Sequence, residues 1–200
     1  SKKARIILSF DNVESAKLWN DELVKEDMNM EYFILINSGL NRLGVTPENS
    51  PNLAKELSQF KNLKLIGIST HPGHVYAVAS PEEVSPISKQ EVERMTIAKQ
   101  FLQSNGFEIG VVASGSTPTF FDVVSDPSLD VLRPGNYPFY DNIQLSLDIC
   151  KEDDCSLTAL GTIISRPSED LFIVDVGSKC LGLDKGAHGS ALITGFGKVK

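Results

Sequence analysis

Glycine-rich polar clusters hold most of the residue types here that could do chemistry. They are Asn37-Ser-Gly-Leu-Asn-Arg42-Leu-Gly44, Thr70-His71-Pro-Gly73-His74-Val-Tyr76, Ser114-Gly115-Ser116-Thr117-Pro118-Thr119 and Arg133-Pro-Gly135-Asn136-Tyr137. Gly115, Ser116 and Thr117 could cradle an anion, because small residues let backbone N–H groups approach a phosphate while two hydroxyls add donors. The same residues also fit a tight turn with a Ser or Thr helix cap. Arg42, between Gly39 and Gly44, could be a fixed cation for a phenolate or carboxylate, or an ordinary surface arginine. His71 and His74 could stack on a flat cofactor, exchange protons or bind metal; equally, they could hold together a loop stiffened by Pro72. Lys179 could form a Schiff base if desolvated beside a carbonyl, but reads as a surface or supporting residue. His188, in Lys185-Gly-Ala-His188-Gly189, reads as a turn residue.

Each cluster follows a strand-like apolar run. Such runs cover residues 5–10, 32–37, 63–69, 107–113 and 129–133, with helical periodicity between them. Asp11 is placed to cap a first helix with Glu14 reaching back, and Val13, Ala16, Leu18, Trp19, Leu23 and Val24 recur at helical spacing. Further helices are expected at 51–60 and at 88–105, the latter burying Val92, Met95, Ile97, Ala98, Phe101 and Leu102 and stopping at Gly106. Runs such as YFILI and IGVV lack polar alternation, as parallel strands covered on both faces do. The fold class is therefore α/β, with the clusters at the end of a parallel sheet where such proteins assemble sites. After Asp141 a short helix to Ile149 gives way to strand-like runs at 156–164 and 171–176, separated by the turn-like RPSED. That change predicts an α/β domain over 1–149 and the start of a β domain over 150–200.

Composition excludes several partners. A chain of 200 residues with 41% apolar content is large enough for one full core. The net charge of -7 is carried by mixed Lys, Glu and Asp with no basic block, which argues against nucleic acid. No apolar run reaches the roughly 18 residues of a membrane span, and SKKARIILSF is too weakly apolar for a secretion signal. A soluble, cytoplasmic protein is expected. Cys150, Cys155 and Cys180 lack metal-site or disulfide-framework spacing and read as reduced thiols. The opening on Ser1 reads as a processed, tagged or truncated start.

Together the clusters are more specific than any one alone. The stretches INSGLNRLGV, GISTHPGHVY, VVASGSTPT, LRPGNYPFYD, CSLTALGTIISRP and VDVGSKCLGLDKGAHGS cover most of residues 32–190. In order and placement they resemble the alanine-racemase-type (fold type III) pyridoxal-phosphate enzymes, within them the D-threonine aldolase and D-serine dehydratase branch. CSLTALGTIISRP and VDVGSKCLGLD look more like the aldolases.

The resemblance implies an incomplete (β/α)8 TIM-type barrel of about five C-terminal βα units followed by the start of a C-terminal β domain. It implies that Arg42 contacts the phenolic oxygen of pyridoxal phosphate (PLP), and that His71 or His74 lies on or beside the ring, one of them as a candidate base. Gly115, Ser116 and Thr117 would hold the phosphate with Gly135, Asn136 and Tyr137, and Arg133 would address the pyridine nitrogen. The implied reaction is metal-assisted cleavage of D-threonine or a related D-3-hydroxy amino acid to glycine and an aldehyde, with the cofactor accepting the electrons. Alternatives are D-serine dehydration to pyruvate and ammonia, a non-catalytic cofactor-binding domain, and a stand-alone α/β fold with scattered clusters. The family's Schiff-base lysine stands on the first barrel strand, and this chain is expected to begin just before the fourth. The ligands of a divalent Mn, Mg or Zn ion are expected beyond Lys200. By the same resemblance the assembly is a homodimer, or is completed by the missing barrel segments; the chain alone is expected to be inactive.

Overall fold

A computed structural model of the protein describes residues 4–177 and 180. They divide into two compact units, one of Ser1–Val75 and Glu82–Gly135, the other of Tyr76–Pro81 and Asn136–Lys200.

The first unit follows a βα rhythm. β1 (Ile7–Phe10), α1 (Val13–Lys25), β2 (Met30–Leu35), α2 (Ser50–Leu57), β3 (Leu63–Ser69), α3 (Val84–Ser104), β4 (Val111–Ser114), α4 (Phe120–Val123) and β5 (Val131–Leu132) follow in turn. The strands form one sheet in the order β1-β2-β3-β4-β5, every neighbour parallel. The α/β expectation and the strand sites hold, while β4 and β5 are shorter than their apolar runs. Phe10, Tyr32, Ile34 and Ile68 meet Leu53, Leu57, Met95, Ala98 and Leu102 from the helices in one core.

Several local expectations need correction. Asn12 caps α1, not Asp11: its extended backbone lets Oδ1 accept from the Ser15 amide at 2.8 Å. Asp11 is thereby released to a different partner. On α1 only Ala16 and Leu23 are buried, and Leu18, Trp19 and Val24 stay exposed. α3 starts one turn earlier than expected, since Pro86 lies in the first turn, where its missing N–H costs little. Its buried stripe runs Val84, Ser88, Glu91, Met95, Ala98, Leu102, so a carboxylate occupies a core position while Phe101 is 39% exposed.

In the second unit Asp141 caps α5 (Asn142–Ser146) by accepting from the amides of Ile143 and Gln144. β6 (Ile163–Ser168) and β7 (Leu171–Val174) pair antiparallel. The RPS triplet expected in a turn is part of β6, and Glu169 and Asp170 make the turn. Among the described residues no helix is long and apolar enough to cross a membrane.

Candidate functional site

At the C-terminal ends of β2, β3 and β5 the first unit has a pocket of about 150 Å³. Asn37, Ser38, Arg42, Thr70, His71 and Arg133 give its polar lining, and Leu35, Leu40 and Leu43 its apolar wall.

The loop carrying Arg42 is tied at both ends. Asn37 and Val45 return the chain onto β2 through Asn37 N–H to Val45 O (2.8 Å) and Val45 N–H to Leu35 O (3.0 Å). Inside the loop the Asn37 side-chain oxygen accepts from the amides of Gly39 (3.0 Å) and Asn41 (3.2 Å), an Asx-type turn. Asn41 takes φ 55° and Gly44 φ 96°. The Gly44 amide donates to Asp11 Oδ2 at 2.9 Å, so the residue after β1 braces the loop after β2. Arg94 of α3 donates to Asn37 O at 3.3 Å.

The loop after β3 joins the same wall. Buried Thr70 donates its hydroxyl to Ile36 O (2.7 Å) and pairs with the Ser38 hydroxyl (2.8 Å). Its carbonyl accepts from Arg133 Nη2 at 3.0 Å, which fixes the Arg133 guanidinium at the pocket. His71 Nδ1 lies 3.2 Å from Gly115 O. A carbonyl oxygen only accepts, so Nδ1 carries the proton and Nε2 is the basic nitrogen. Partial burial pushes the His71 pKa below the ordinary histidine value; the Gly115 bond opposes this, and the Arg42 and Arg133 cations add to it. Burial also lowers Arg133, which remains a cation.

The loop after β4 is compact. Gly115 has φ 129°, and a Cβ there would stand 2.8 Å from the Arg133 amide nitrogen, so only glycine fits. Ser116, Thr117 and Thr119 are all buried, with the Ser116 and Thr119 hydroxyls 3.0 Å apart.

The structure thus brings Arg42, His71 and Arg133 to one pocket and places Gly115, with Ser116 and Thr117 behind it, against His71 and Arg133. His74 goes elsewhere: its Nε2 faces Gln90 Oε1 at 3.2 Å, its buried Nδ1 has no hydrogen-bond partner among the described residues, and its ring lies close to Gly39. Gly135 closes the first unit in open space. Asn136 and Tyr137 belong to the second unit, where Asn136 Nδ2 donates to Asp141 Oδ2 at 2.7 Å and Tyr137 is exposed. Lys179 and His188 lie outside the described residues. Among those described, no three His, Cys, Asp or Glu side chains stand together as metal ligands. Asn37, Ser38 and Thr70, which the sequence offers only as members of polar clusters, and Asp11, read there as a helix cap, join the site as braces of its loops.

The sequence model of the alanine racemase N-terminal domain matches residues 1–142. This chain belongs to that family. D-serine dehydratase from Dictyostelium discoideum is 29% identical over 198 residues, covering 91% of this chain and 50% of the relative. D-threonine aldolase from Arthrobacter sp is 23% identical over 183 residues, covering 90% and 48%. The solved D-threo-3-hydroxyaspartate dehydratase from Delftia sp. HT23 superposes with TM-score 0.82 at 25% identity, covering 97% of this chain and 51% of that one. The chain therefore spans about half the length of these three relatives.

Proposed function

We propose that this chain supplies the phosphate-side half of the site in a pyridoxal-phosphate-dependent lyase acting on D-3-hydroxy amino acids. The convergence of Arg42, His71 and Arg133 on one pocket beside the 115–117 loop carries the reading. The pocket fits the cofactor chemically: two cations suit its anionic oxygens, and the glycine-only turn at Gly115 lies against His71 and Arg133 of its lining. D-serine, D-threo-3-hydroxyaspartate and D-threonine, named in the relatives, are all D-amino acids with a β-hydroxyl. The antiparallel β6–β7 hairpin is read as the opening of a C-terminal β domain, and the five-stranded sheet as part of a (β/α)8 barrel.

In this proposal Gly115, Ser116 and Thr117 hold the phosphate, Arg42 the phenolic oxygen, and Arg133 faces the pyridine nitrogen. When bound, PLP supplies an electron sink conjugated to the substrate nitrogen. A cation at Arg133 disfavours a proton on a nitrogen beside it and so moderates that sink. His71 Nε2 is the acceptor for the substrate proton, kept unprotonated near neutral pH by its setting and held in tautomer by Gly115. His74, turned to Gln90, braces the Arg42 loop and is the weaker candidate for base.

Two outcomes are available to such a base. Removal of the Cα proton leads to β-elimination, and removal of the β-hydroxyl proton to retro-aldol cleavage. We take β-elimination first, because identity to the D-serine dehydratase exceeds that to the aldolase. The 155–167 and 174–184 stretches support the aldol reading as second. The metal remains a proposal for the whole enzyme. Product analysis tests the choice: ammonia with pyruvate from D-serine and with 2-oxobutanoate from D-threonine is expected, and glycine with acetaldehyde from D-threonine would give the aldol reading. Borohydride trapping with PLP followed by intact mass tests the lysine. A stoichiometric adduct on this chain would assign the Schiff base within it, with Lys179 the first residue to examine.

A further inference from the structure

Glu91 is a carboxylic acid in the wrong place for a structural helix. It occupies the core stripe of α3 between Ser88 and Met95 and is fully buried, 0% exposed. Its Oε1 accepts from the Ser114 hydroxyl, and among the described residues its Oε2 has no hydrogen-bond partner. Ser114 is the last residue of β4 and runs directly into Gly115, whose carbonyl meets His71. The Thr119 hydroxyl, which pairs with Ser116, also acts on the carboxyl. Glu91 therefore holds Ser114, directly before the 115–117 loop, and is acted on by Thr119, after it.

Among the described residues no countercharge balances it. The elements packed on α3 carry Glu48, Lys55, Glu56, Lys64 and Asp122, all exposed, and no charged group among the described residues contributes to its ionisation balance. Burial disfavours the carboxylate, with the Ser114 and Thr119 hydroxyls opposing more weakly, so its pKa is raised. An unpaired carboxylate oxygen in the core costs far more than an unpaired carboxyl O–H.

We propose that Glu91 is the positioning residue of the 115–117 anion cradle, held as a neutral acid whose ionisation opposes anion binding at that loop. This rests on the phosphate role assigned to the loop under the proposed function. A phosphate held at the 115–117 loop and a carboxylate on Ser114, directly before that loop, repel each other, so anion binding favours the protonated acid and deprotonation weakens anion binding by the same factor.

The test titrates the protein with inorganic phosphate and with PLP, wild type against Glu91→Gln, by calorimetry across the whole pH range in which both proteins stay folded. The amide replaces the neutral acid in shape and cannot ionise, so pH effects on the probes themselves cancel in the ratio of affinities. The wild-type affinity relative to E91Q is expected to fall roughly tenfold as pH rises across that range. A flat ratio with both proteins binding overturns the role of Glu91 and leaves the PLP reading standing; absence of phosphate and PLP binding in both overturns both. Should E91Q fail to fold, the Gly115 and Ser116 amide signals of the wild type carry the test by NMR. A titration midpoint that phosphate moves upward is expected, and one that phosphate leaves unmoved overturns the proposal.

Discussion

His71 Nδ1 lies 3.2 Å from the carbonyl oxygen of Gly115, joining the residue that follows Thr70 after β3 to the glycine turn after β4. The bond fixes the tautomer, and the ring stands at a pocket that also holds Arg42 and Arg133. Burial first, and the two cations after it, hold its pKa below the usual value. Arg42→Gln is therefore expected to move the His71 midpoint upward, read from the imidazole Cε1 proton by NMR. A depressed histidine binds fewer protons folded than unfolded. Its contribution to stability is present above the unfolded value of about 6.5 and is lost as pH falls through the lower folded value. A midpoint that Arg42→Gln leaves in place would put the guanidinium out of reach of the ring.

Gly115→Ala tests the turn itself. The φ of 129° is a glycine-only conformation, and the added methyl would meet the Arg133 amide nitrogen at 2.8 Å. The backbone of Arg133 is held by its bond to Ser114 O, at 2.8 Å, and has little room to yield. A loss of roughly 1–3 kcal/mol in unfolding free energy is expected by urea denaturation, with phosphate affinity reduced in the protein that remains folded. Wild-type affinity in the folded variant would remove this turn from the anion site.

How much of this is legible in the sequence follows from what each signal reports. Unbroken apolar runs mark strands covered on both faces, so YFILI and IGVV announce the parallel sheet, and the polar clusters behind them announce where a site forms. The family resemblance on those clusters holds as well. Single-residue details do not carry through. Whether Asp11 or Asn12 caps α1 depends on one extended dihedral pair, and both side chains satisfy the same pattern. Glu91 lies at i+3 from Ser88 and i−4 from Met95 in a stripe that otherwise buries, yet a charged side chain reads as solvent-facing. His71 and His74 look equivalent in sequence; only the turn at 73–77 sends one ring to Gly115 and the other to Gln90.

Asp11 offers a way to separate the loop from the helix beside it. Its Oδ2 accepts from the Gly44 amide and its Oδ1 from Asn12 Nδ2 at 2.7 Å, whereas Asn12 Oδ1 caps α1. Asp11→Ala is expected to cost about 1 kcal/mol and to lower PLP affinity several-fold, because the Arg42 loop loses its brace. Asn12→Ala is expected to cost about the same through the helix start while leaving PLP affinity within about twofold. Circular dichroism and calorimetry on the pair read the two effects apart. If Asp11→Ala binds PLP as the wild type does, Arg42 does not depend on the Asp11–Gly44 contact.

Gly67 marks where β3 slips against β2. Tyr32 aligns with Leu65 and Phe33 with Gly67, so Ile66 is the extra residue of a bulge. On its other side Gly67 aligns with Val111 of β4, and a Cβ would stand 1.9 Å from the Val111 carbonyl oxygen. That neighbour is sheet backbone and cannot move without opening the β3–β4 ladder that positions Thr70 and Gly115. Gly67→Ala is expected to destabilise at or beyond the upper end of roughly 1–3 kcal/mol. Gly110→Ala is the control. Its Cβ would meet Ile66 O at an ordinary 3.5 Å, so alanine there is expected to be neutral or to stabilise by about 0.4–1 kcal/mol through the unfolded chain. Thermal melts of the two variants side by side check the register: a Gly67→Ala protein that melts with the wild type would mean that β3 and β4 do not meet at Gly67 and Val111.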